Sequence, residues 1–314
     1  MICERNDEDI FEFFGNEHDR FGFPEGMHRM TSMRGGETYL ITGSEKTALY
    51  DCGMAYCGPY TAANIRDELD ELGRDKLDYI LLSHSHYDHM GALPYIKKEF
   101  PEAVVVGSEK CARILSRPGA IEAIGNLGTV ARDLYTPGST IKIITDGIKV
   151  DMIVGEGDEI SLGDETIKVI ETKGHTDCSL TYAIEPMGLL ICSESTGLIE
   201  SLDYVNTPIL KSFDDSQISM AKCRDYHARY ICLPHFGLLP QYMNEKYWQM
   251  FDDSCRQVIS FVRDLEKSGK NIEEMKKSYY NKYWNPKFIM EQPIKAYMIN
   301  TEATIKAALR AEYC

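Results

Sequence analysis

The chain has 314 residues, of which 43% are hydrophobic and 26% charged, and a formal net charge of -15 at neutral pH. This is the composition of an ordinary globular domain, and no apolar run approaches the ~20 residues that span a bilayer, so no membrane-spanning helix is expected. An acidic chain repels phosphate backbones, which argues against nucleic acid as a partner.

The N-terminal residues and the cysteines suggest a compartment. The first residues, MICERNDEDIFEFF, are acidic and lack the basic-then-apolar order of a signal peptide. Ten cysteines are scattered without a C-x-x-C pair, which favours reduced thiols over a disulfide framework. We therefore expect a cytoplasmic protein that acts on a small molecule and has no membrane partner; the sequence leaves a homodimer open.

The first part of the chain alternates strand and helix patterns. Its predicted strands and helices, bounded by turn residues and by Gly73 as a helix end, are strands 39–42, 47–50, 79–82 and 103–106 and helices 60–72 and 92–100. The glycine-rich segment 111–140 predicts irregular structure.

Strand patterns dominate the second part and helical patterns the third. The predicted strands are 148–154, 158–162, 166–171, 180–184, 189–192 and 230–233. Helical periodicity covers 251–269 and 293–312, with Gly269 and Pro286 as breaks. We therefore predict a mixed α/β domain over residues 1–240 and a C-terminal helical extension over 241–314.

The densest polar motif is LLSHSHYDHMGALPYI, which follows the apolar strand 79–82 directly. His84 and His86 lie two apart, so both imidazoles reach one side of an extended segment. Asp88 and His89 come after a turn and can face a second ion nearby. Imidazole with carboxylate suits zinc, iron or manganese, whereas oxygen ligands alone would suit magnesium or calcium.

Four side chains do not complete two metal sites, so later ligands are expected. His175 in KGHTDCS, Glu194 in CSESTG and His235 in CLPHFG each follow a predicted strand. Asp51, at another strand end, is a candidate to orient a ligand histidine through a hydrogen bond. Cys178 is a weaker candidate for a soft ligand, and Tyr87, Tyr182 and Tyr204 are candidates to line the substrate pocket.

These motifs together resemble the metallo-β-lactamase fold hydrolases. The resemblance rests on S-H-S-H-Y-D-H at 83–89, G-H-T at 174–176, the acid at 194 and P-H at 234–235, and it covers about residues 35–240. HYDHMGALPYI, VIETKGH and the helical tail are most similar to the glyoxalase II and quinolone-signal thioesterase branch. The resemblance implies a four-layer αββα sandwich, with the C-terminal helices over a dinuclear metal site.

The resemblance also implies a ligand set. His84, His86 and His175 would hold the first metal, and Asp88, His89 and His235 the second. Glu194 would stand where the family usually has a bridging aspartate. The chain departs from the family at Ser193-Glu194, where Gly-Asp is usual, and at Pro-His-Phe-Gly, where Pro-Gly-His-Gly is usual.

Two such metals can bridge a water, lower its pKa toward 7 and direct the hydroxide at an electrophilic carbon or phosphorus. Asp88 is the candidate catalytic residue, since it could accept a proton from that water. The leading prediction is hydrolysis of a small thioester or ester, such as an acyl-CoA-like or glutathione-like conjugate. The alternatives are a phosphodiesterase for a nucleotide or phospholipid head group, and a non-catalytic metal-binding sensor or effector.

Overall fold

The computed structural model describes residues 23–33, 35–201, 203–285 and 292–313. Its strands are β1 (Met27–Arg29), β2 (Tyr39–Thr42), β3 (Thr47–Tyr50), β4 (Tyr79–Leu81), β5 (Val104–Ser108), β6 (Met152–Val154), β7 (Glu159–Ser161), β8 (Thr166–Glu171), β9 (Leu180–Glu185), β10 (Leu189–Ile191), β11 (Leu198–Ser201), β12 (Tyr204–Asn206), β13 (Tyr230–Leu233) and β14 (Gly237–Leu238). Its α-helices are α1 (Gly58–Glu71), α2 (Tyr87–Met90), α3 (Leu93–Glu99), α4 (Glu109–Leu115), α5 (Pro118–Tyr135), α6 (Phe213–Asp225), α7 (Asn244–Lys267), α8 (Ile272–Tyr283) and α9 (Ile294–Arg310).

The strands form two six-stranded sheets and one separate hairpin. The first sheet has the order β1-β2-β3-β4-β5-β6, the second has the order β14-β13-β10-β9-β8-β7, and β11 pairs with β12 alone. In the first sheet β3, β4, β5 and β6 are parallel neighbours. In the second, β8 and β10 are both antiparallel to β9, and β13 is parallel to β10. The C-terminal ends of strands β8, β10 and β13 therefore lie at the same edge of the second sheet.

Three hydrophobic clusters separate four layers. The central cluster joins the facing sides of the two sheets and includes Tyr50, Val106, Ile167 and Tyr182. A second cluster packs α1, α3, α4 and α5 on the outer face of the first sheet. A third packs α6, α7, α8 and α9 on the outer face of the second sheet. The αββα fold class predicted from the sequence is confirmed, with the C-terminal helices in the outer layer.

Hydrogen bonds across the central layer fix the two sheets to each other near the ends of their strands. The Tyr50 hydroxyl donates to the Cys192 carbonyl at 3.1 Å, and the Tyr182 hydroxyl donates to the Leu82 carbonyl at 2.9 Å. The Leu180 amide donates to the Ser83 carbonyl at 2.8 Å. The strand ends that carry the histidine motif are thus held against those of the second sheet.

The prediction of irregular structure over 111–140 is wrong, because α4 and α5 occupy most of that segment. Gly125 and Gly128 lie within α5 and allow close packing, and Gly138 forms a turn only after the helix has ended. A β-carbon on Gly128 would lie 3.4 Å from the Ala55 β-carbon and 3.3 Å from the Ile143 side chain. Apolar residues at 121, 124, 127 and 131 keep a helical spacing through these glycines.

Other differences are smaller. The predicted strand 148–154 is regular only in β6. Seven further elements have no counterpart among the predicted ones, namely β1, β11, β12, β14, α2, α6 and α8. Helices α7 and α9 extend over the two segments with helical periodicity, and Gly269 follows α7 as predicted. Pro286 and residues 1–22 lie outside the described residues. None of the helices in the described ranges combines the length and apolarity needed to cross a bilayer.

Helix α7 is tied to the loop after β10 by one buried hydroxyl. The oxygen of Tyr247 lies 2.7 Å from the Thr196 carbonyl and 3.0 Å from the Gly197 carbonyl. Tyr247 is fully buried, so no water could replace these hydrogen bonds. The C-terminal helices therefore help to position the segment that begins with Glu194.

We expect Tyr247→Phe to lower the free energy of unfolding by about 1–2 kcal/mol, because it leaves buried carbonyls without a donor. Urea denaturation measures the change. Tyr60→Phe is the matched control, since Tyr60 is 49% exposed. Equal stabilities for the two variants would show that the Tyr247 hydroxyl does not stabilise this contact.

Candidate metal centre

Each of the seven predicted ligand side chains lies just beyond the end of a strand. His84 and His86 follow β4, and Asp88 and His89 lie in the short helix α2, which comes next. The other three come from the second sheet, where His175 follows β8, Glu194 follows β10 and His235 follows β13. Because these strands end at facing edges, residues far apart in sequence meet in one place.

The structure sorts these side chains into two groups. The three-histidine group consists of His84, His86 and His175, and the mixed group consists of Asp88, His89, Glu194 and His235. Within each group, one candidate ligand atom from every residue lies within 4.8 Å of the others. The first group contains the three histidines that the resemblance implied for one metal, and the second adds Glu194 to the implied Asp88, His89 and His235. Cys178 belongs to neither group.

Glu194 lies between the two groups. Its Oε1 is 2.7 Å from His89 Nε2 and 3.2 Å from His235 Nε2, and its Oε2 is 3.4 Å from His175 Nε2. The extra methylene relative to aspartate therefore does not prevent the carboxylate from reaching both groups. One carboxylate oxygen thus lies near the mixed group and the other near the three-histidine group.

Hydrogen bonds on the far side of the imidazoles define which nitrogens face the centre. His175 Nδ1 donates to the Pro208 carbonyl, which can only accept, so Nε2 is the nitrogen whose lone pair faces the centre, 3.0 Å from His86 Nδ1. His84 Nδ1 lies 2.9 Å from Ser83 Oγ, whose proton goes to Asp51. His84 Nε2 is buried and has no hydrogen-bond partner. A buried nitrogen lone pair without a partner, surrounded by histidines and carboxylates, fits a divalent metal site.

Asp51 organises both groups from behind. Its Oδ1 accepts a hydrogen bond from the Ser83 amide at 2.7 Å. Its Oδ2 accepts from the Ser83 hydroxyl at 2.7 Å and from His89 Nδ1 at 2.8 Å. The predicted hydrogen bond from a ligand histidine to Asp51 is therefore confirmed. Asp51 is fully buried and has a left-handed backbone, with φ 50°, which only a few per cent of non-glycine residues adopt.

Burial and neighbouring charges set different protonation states across the centre. Burial lowers the pKa of His86 to about 4 and that of His84 well below its ordinary value. Burial alone would also lower the pKa of His89, but the carboxylates of Asp88 and Asp51 raise it to about 10. Without a metal, His84 and His86 are thus neutral ligands, whereas His89 must release a proton to bind one.

Glu194 keeps its charge although it is buried. Burial alone would raise the pKa of Glu194, but nearby His175 and hydrogen bonds from His235 and His89 hold that pKa well below its usual range. The carboxylate is therefore ionised at neutral pH, as a metal ligand must be.

Two backbone features place the later histidines. Gly174 has φ 137°, and a β-carbon there would lie 2.6 Å from the Ser216 β-carbon, so only glycine permits the turn before His175. His235 has a left-handed backbone with φ 58°, and this conformation turns its ring toward Glu194. His235 stands one residue nearer to the proline than the histidine of the family's usual Pro-Gly-His-Gly. The left-handed backbone at His235 compensates for this difference.

A cavity of about 270 Å³ opens beside both groups and is bordered by His86, Asp88, His175, Glu194 and His235. Of the three tyrosines predicted as pocket residues, Tyr87 lines the cavity. Tyr182 is fully buried between the sheets and Tyr204 does not border the cavity.

Several cavity residues were not predicted from the sequence. Helix α9 contributes Ala296, Ile299 and Asn300, and the β11–β12 hairpin contributes Glu200 and Asn206. No local motif marks these residues, because they reach the cavity only through packing of the hairpin and the helical layer. The β11–β12 hairpin, which was not predicted, carries one sequence signal for such a residue, because the acidic Glu200 interrupts an apolar strand pattern.

Comparison with known proteins gives consistent results. The sequence profile of the Metallo-beta-lactamase superfamily matches residues 33–235. A metallo-beta-lactamase fold-containing protein of Sulfurisphaera tokodaii is 24% identical over 251 residues, which cover 76% of this chain and 91% of that protein. A hydroxyacylglutathione hydrolase of Aliivibrio fischeri is 28% identical over 106 residues, covering 34% of this chain and 29% of that enzyme.

Solved structures show the same fold. A metallo-beta-lactamase family protein from Thermus thermophilus superposes with a TM-score of 0.60 at 18% identity. The alignment covers 90% of this chain and 92% of that one. It therefore includes most of the C-terminal helical layer as well as the two sheets.

We expect Asp51→Asn to weaken zinc binding about 10- to 100-fold, which is the usual effect of losing the hydrogen-bond partner of a ligand histidine. The amide would turn a donor toward Ser83 Oγ or His89 Nδ1, where the carboxylate now accepts. Competition with a chelating dye measures the affinity. Asp146→Asn, at an exposed position, is the control. Equal affinities in the two variants would contradict this role of Asp51.

Acid should destabilise the metal-free protein through its neutral histidines. The pKa of His86 is about 4 in the folded state and about 6.5 when unfolded. Between these values the unfolded chain binds a proton that the folded chain excludes, so stability falls as the pH falls. His89, with its raised pKa, is protonated in both states over this range and adds no slope.

His86→Gln should therefore become more stable relative to wild type, by about 1–2 kcal/mol, as the pH is lowered from about 6.5 to about 4.5. Urea denaturation in the presence of a chelator provides the comparison. Gln249→Ala, an exposed substitution, should differ from wild type by a constant amount. A constant difference for His86→Gln as well would disprove the expected protonation state.

Proposed function

Because the chain belongs to the metallo-β-lactamase superfamily, we propose that it is a metal-dependent hydrolase that cleaves a small thioester or ester. The observation that carries the proposal is the convergence of the three-histidine group and the mixed group beside one cavity. The unpartnered Nε2 of buried His84 supports metal occupancy of this centre.

His84, His86 and His175 would hold one divalent ion and Asp88, His89 and His235 a second, with Glu194 between them. Zinc, iron and manganese all suit this donor set. Such ions supply activation of water and polarisation of the scissile carbonyl. The remaining requirements fall on the protein, which has to orient its ligands, bind the substrate and move protons.

Asp88 is the proposed proton acceptor. It is half-buried, borders the cavity, and has Oδ2 3.6 Å from His235 Nε2. In hydrolysis the water oxygen forms a bond to the acyl carbon, and the carbon–sulfur or carbon–oxygen bond breaks. The proton that water loses would pass to Asp88 and then to the departing thiolate or alkoxide. Asp51 maintains the orientation of His89 throughout and does not touch the substrate.

The character of the cavity favours an acyl substrate over a phosphodiester. Leu127, Leu198, Ile199 and Ile299 form apolar walls, and the residues described around the cavity include no lysine or arginine. Phosphate recognition normally uses such cations. The partial similarity to a hydroxyacylglutathione hydrolase, whose name denotes an acyl substrate, supports the same choice.

The direct test is elemental analysis of the purified protein followed by a hydrolysis panel. We expect up to two equivalents of a transition metal and turnover of thioesters or esters, without turnover of bis(p-nitrophenyl) phosphate. Turnover of the phosphodiester alone would favour the phosphodiesterase. Stoichiometric metal with no turnover of any substrate would favour a sensor or effector.

Glu194→Gln should weaken metal binding and slow hydrolysis about 100-fold or more, because the side chain keeps its shape and loses its charge. Glu194→Asp shortens the reach by about 1.5 Å, one C–C bond, and should retain one equivalent of metal at the three-histidine group. Elemental analysis and steady-state kinetics measure both effects. Glu266→Gln, at an exposed position, is the control. Two metals and normal turnover in Glu194→Gln would exclude Glu194 as a ligand.

A further inference from the structure

Glu200 has an unusual place in the β11–β12 hairpin. Ile199 pairs with Val205 and Ser201 with Tyr204, so Glu200 is the extra residue of a β-bulge. Bulges of this kind redirect a side chain, and they are frequent beside active sites. Here Leu198, Ile199 and Glu200 all border the cavity in succession, which the alternating side chains of a regular strand would not allow.

The carboxyl group of Glu200 is only partly satisfied. It accepts a hydrogen bond from the Asn206 side chain. Its Oε1 is shielded from solvent and has no hydrogen-bond partner. A shielded carboxyl oxygen without a donor is costly, so a fold that retains one usually has a use for it. Burial raises the pKa of Glu200 well above its ordinary value.

The surrounding cavity shows what kind of group could supply the donor. Carboxamides of Asn206, Gln292 and Asn300 share this cavity with Glu200. Besides the carboxyl group of Glu200, the cavity is bordered by the carboxylates of Asp88 and Glu194, and its described residues include no lysine or arginine. An anionic group would be repelled by these carboxylates, whereas a group that carries N–H or O–H hydrogens would be attracted.

We propose that Glu200 is a specificity-determining residue that accepts a hydrogen bond from an amine or hydroxyl group of the bound substrate. The role of Glu200 in turnover rests on the proposed hydrolase function, but its role in binding does not. Substrates with an amine or hydroxyl at the end of a short apolar chain are the class selected. Chains that end in a methyl or a carboxylate are discriminated against.

Binding of small probe molecules to the metal-free protein tests the preference for an amine or hydroxyl group separately from hydrolysis. The probes are hexylamine, hexan-1-ol and methyl pentyl ether, which present a charged donor, a neutral donor and no donor. Calorimetry should show the alcohol bound about 5-fold and the amine about 10-fold or more tighter than the ether. If the wild-type protein binds the three probes equally, the proposal is overturned.

Two variants separate the charged donor from the neutral one. Glu200→Leu should abolish both preferences, whereas Glu200→Gln should retain the preference for the alcohol and lose that for the amine, since an amide oxygen still accepts a hydrogen bond but the amide cannot ionise to pair with an ammonium group. Glu266→Gln should behave as wild type. Glu200→Gln is nearly isosteric, so it keeps the test decisive if Glu200→Leu does not fold. Preferences that survive in both variants would show that another residue recognises the donor.

Turnover provides the second readout. The N-acetylcysteamine thioesters of 6-aminohexanoic, 6-hydroxyhexanoic, heptanoic and pimelic acids differ only at the far end of the acyl chain. We expect kcat/KM to be about 10-fold higher for the first two than for the last two, and Glu200→Leu to remove this difference. If no thioester is cleaved while the binding preferences hold, the proposed hydrolysis fails and the role of Glu200 remains. If all four are cleaved equally, the specificity role is refuted.

Discussion

The buried carboxylate of Asp51 is the interaction on which the rest of the centre depends. Its two oxygens accept hydrogen bonds from the Ser83 amide, the Ser83 hydroxyl and His89 Nδ1. Through Ser83 it sets the tautomer of His84, and directly it orients the ring of His89. One negative charge therefore orients a histidine in each ligand group. Burying that charge is tolerable only because both oxygens are fully used.

Glu194 is the complementary charge at the front of the centre. It lies within 4 Å of nitrogens from His84, His89, His175 and His235. Its loop is held from behind by the Tyr247 hydroxyl of helix α7. The helical layer is thus connected to the ligands in two ways, through this hydrogen bond and through the walls that α9 adds to the cavity. Changes in the C-terminal helices would therefore alter the centre, although none of their described residues belongs to either ligand group.

Much of this arrangement could be predicted from the sequence, because its signals are local. Apolar runs such as 39–42 and 230–233 give their strands with correct bounds, and the ligand residues follow such runs directly. The αββα layering and the ligand groups follow from the resemblance that those motifs carry.

The failures arose where tertiary packing overrides local chemistry. The glycines of α5 resemble loop composition, but Gly128 allows the helix to approach Ala55 and Ile143 closely. Glu200 and Asn300 carry no motif, since only the bulge of β11 and the packing of α9 bring them to the cavity. Likewise, the left-handed backbone of His235 has no signature in Pro-His-Phe-Gly.

The ligands are divided between the two sheets, and this division has a consequence for the lifetime of the polypeptide. An ion held by His84, His86 and His175 would link the two sheets, because the first two residues follow β4 of the first sheet and the third follows β8 of the second. Such a link closes a long loop of the chain, and the ion binds at this centre only in the folded state. Metal binding therefore raises the free energy of unfolding. When metal is scarce, the sheets would separate more often and expose the chain to proteases. The cellular amount of the protein, and not only its activity, would then follow the metal supply.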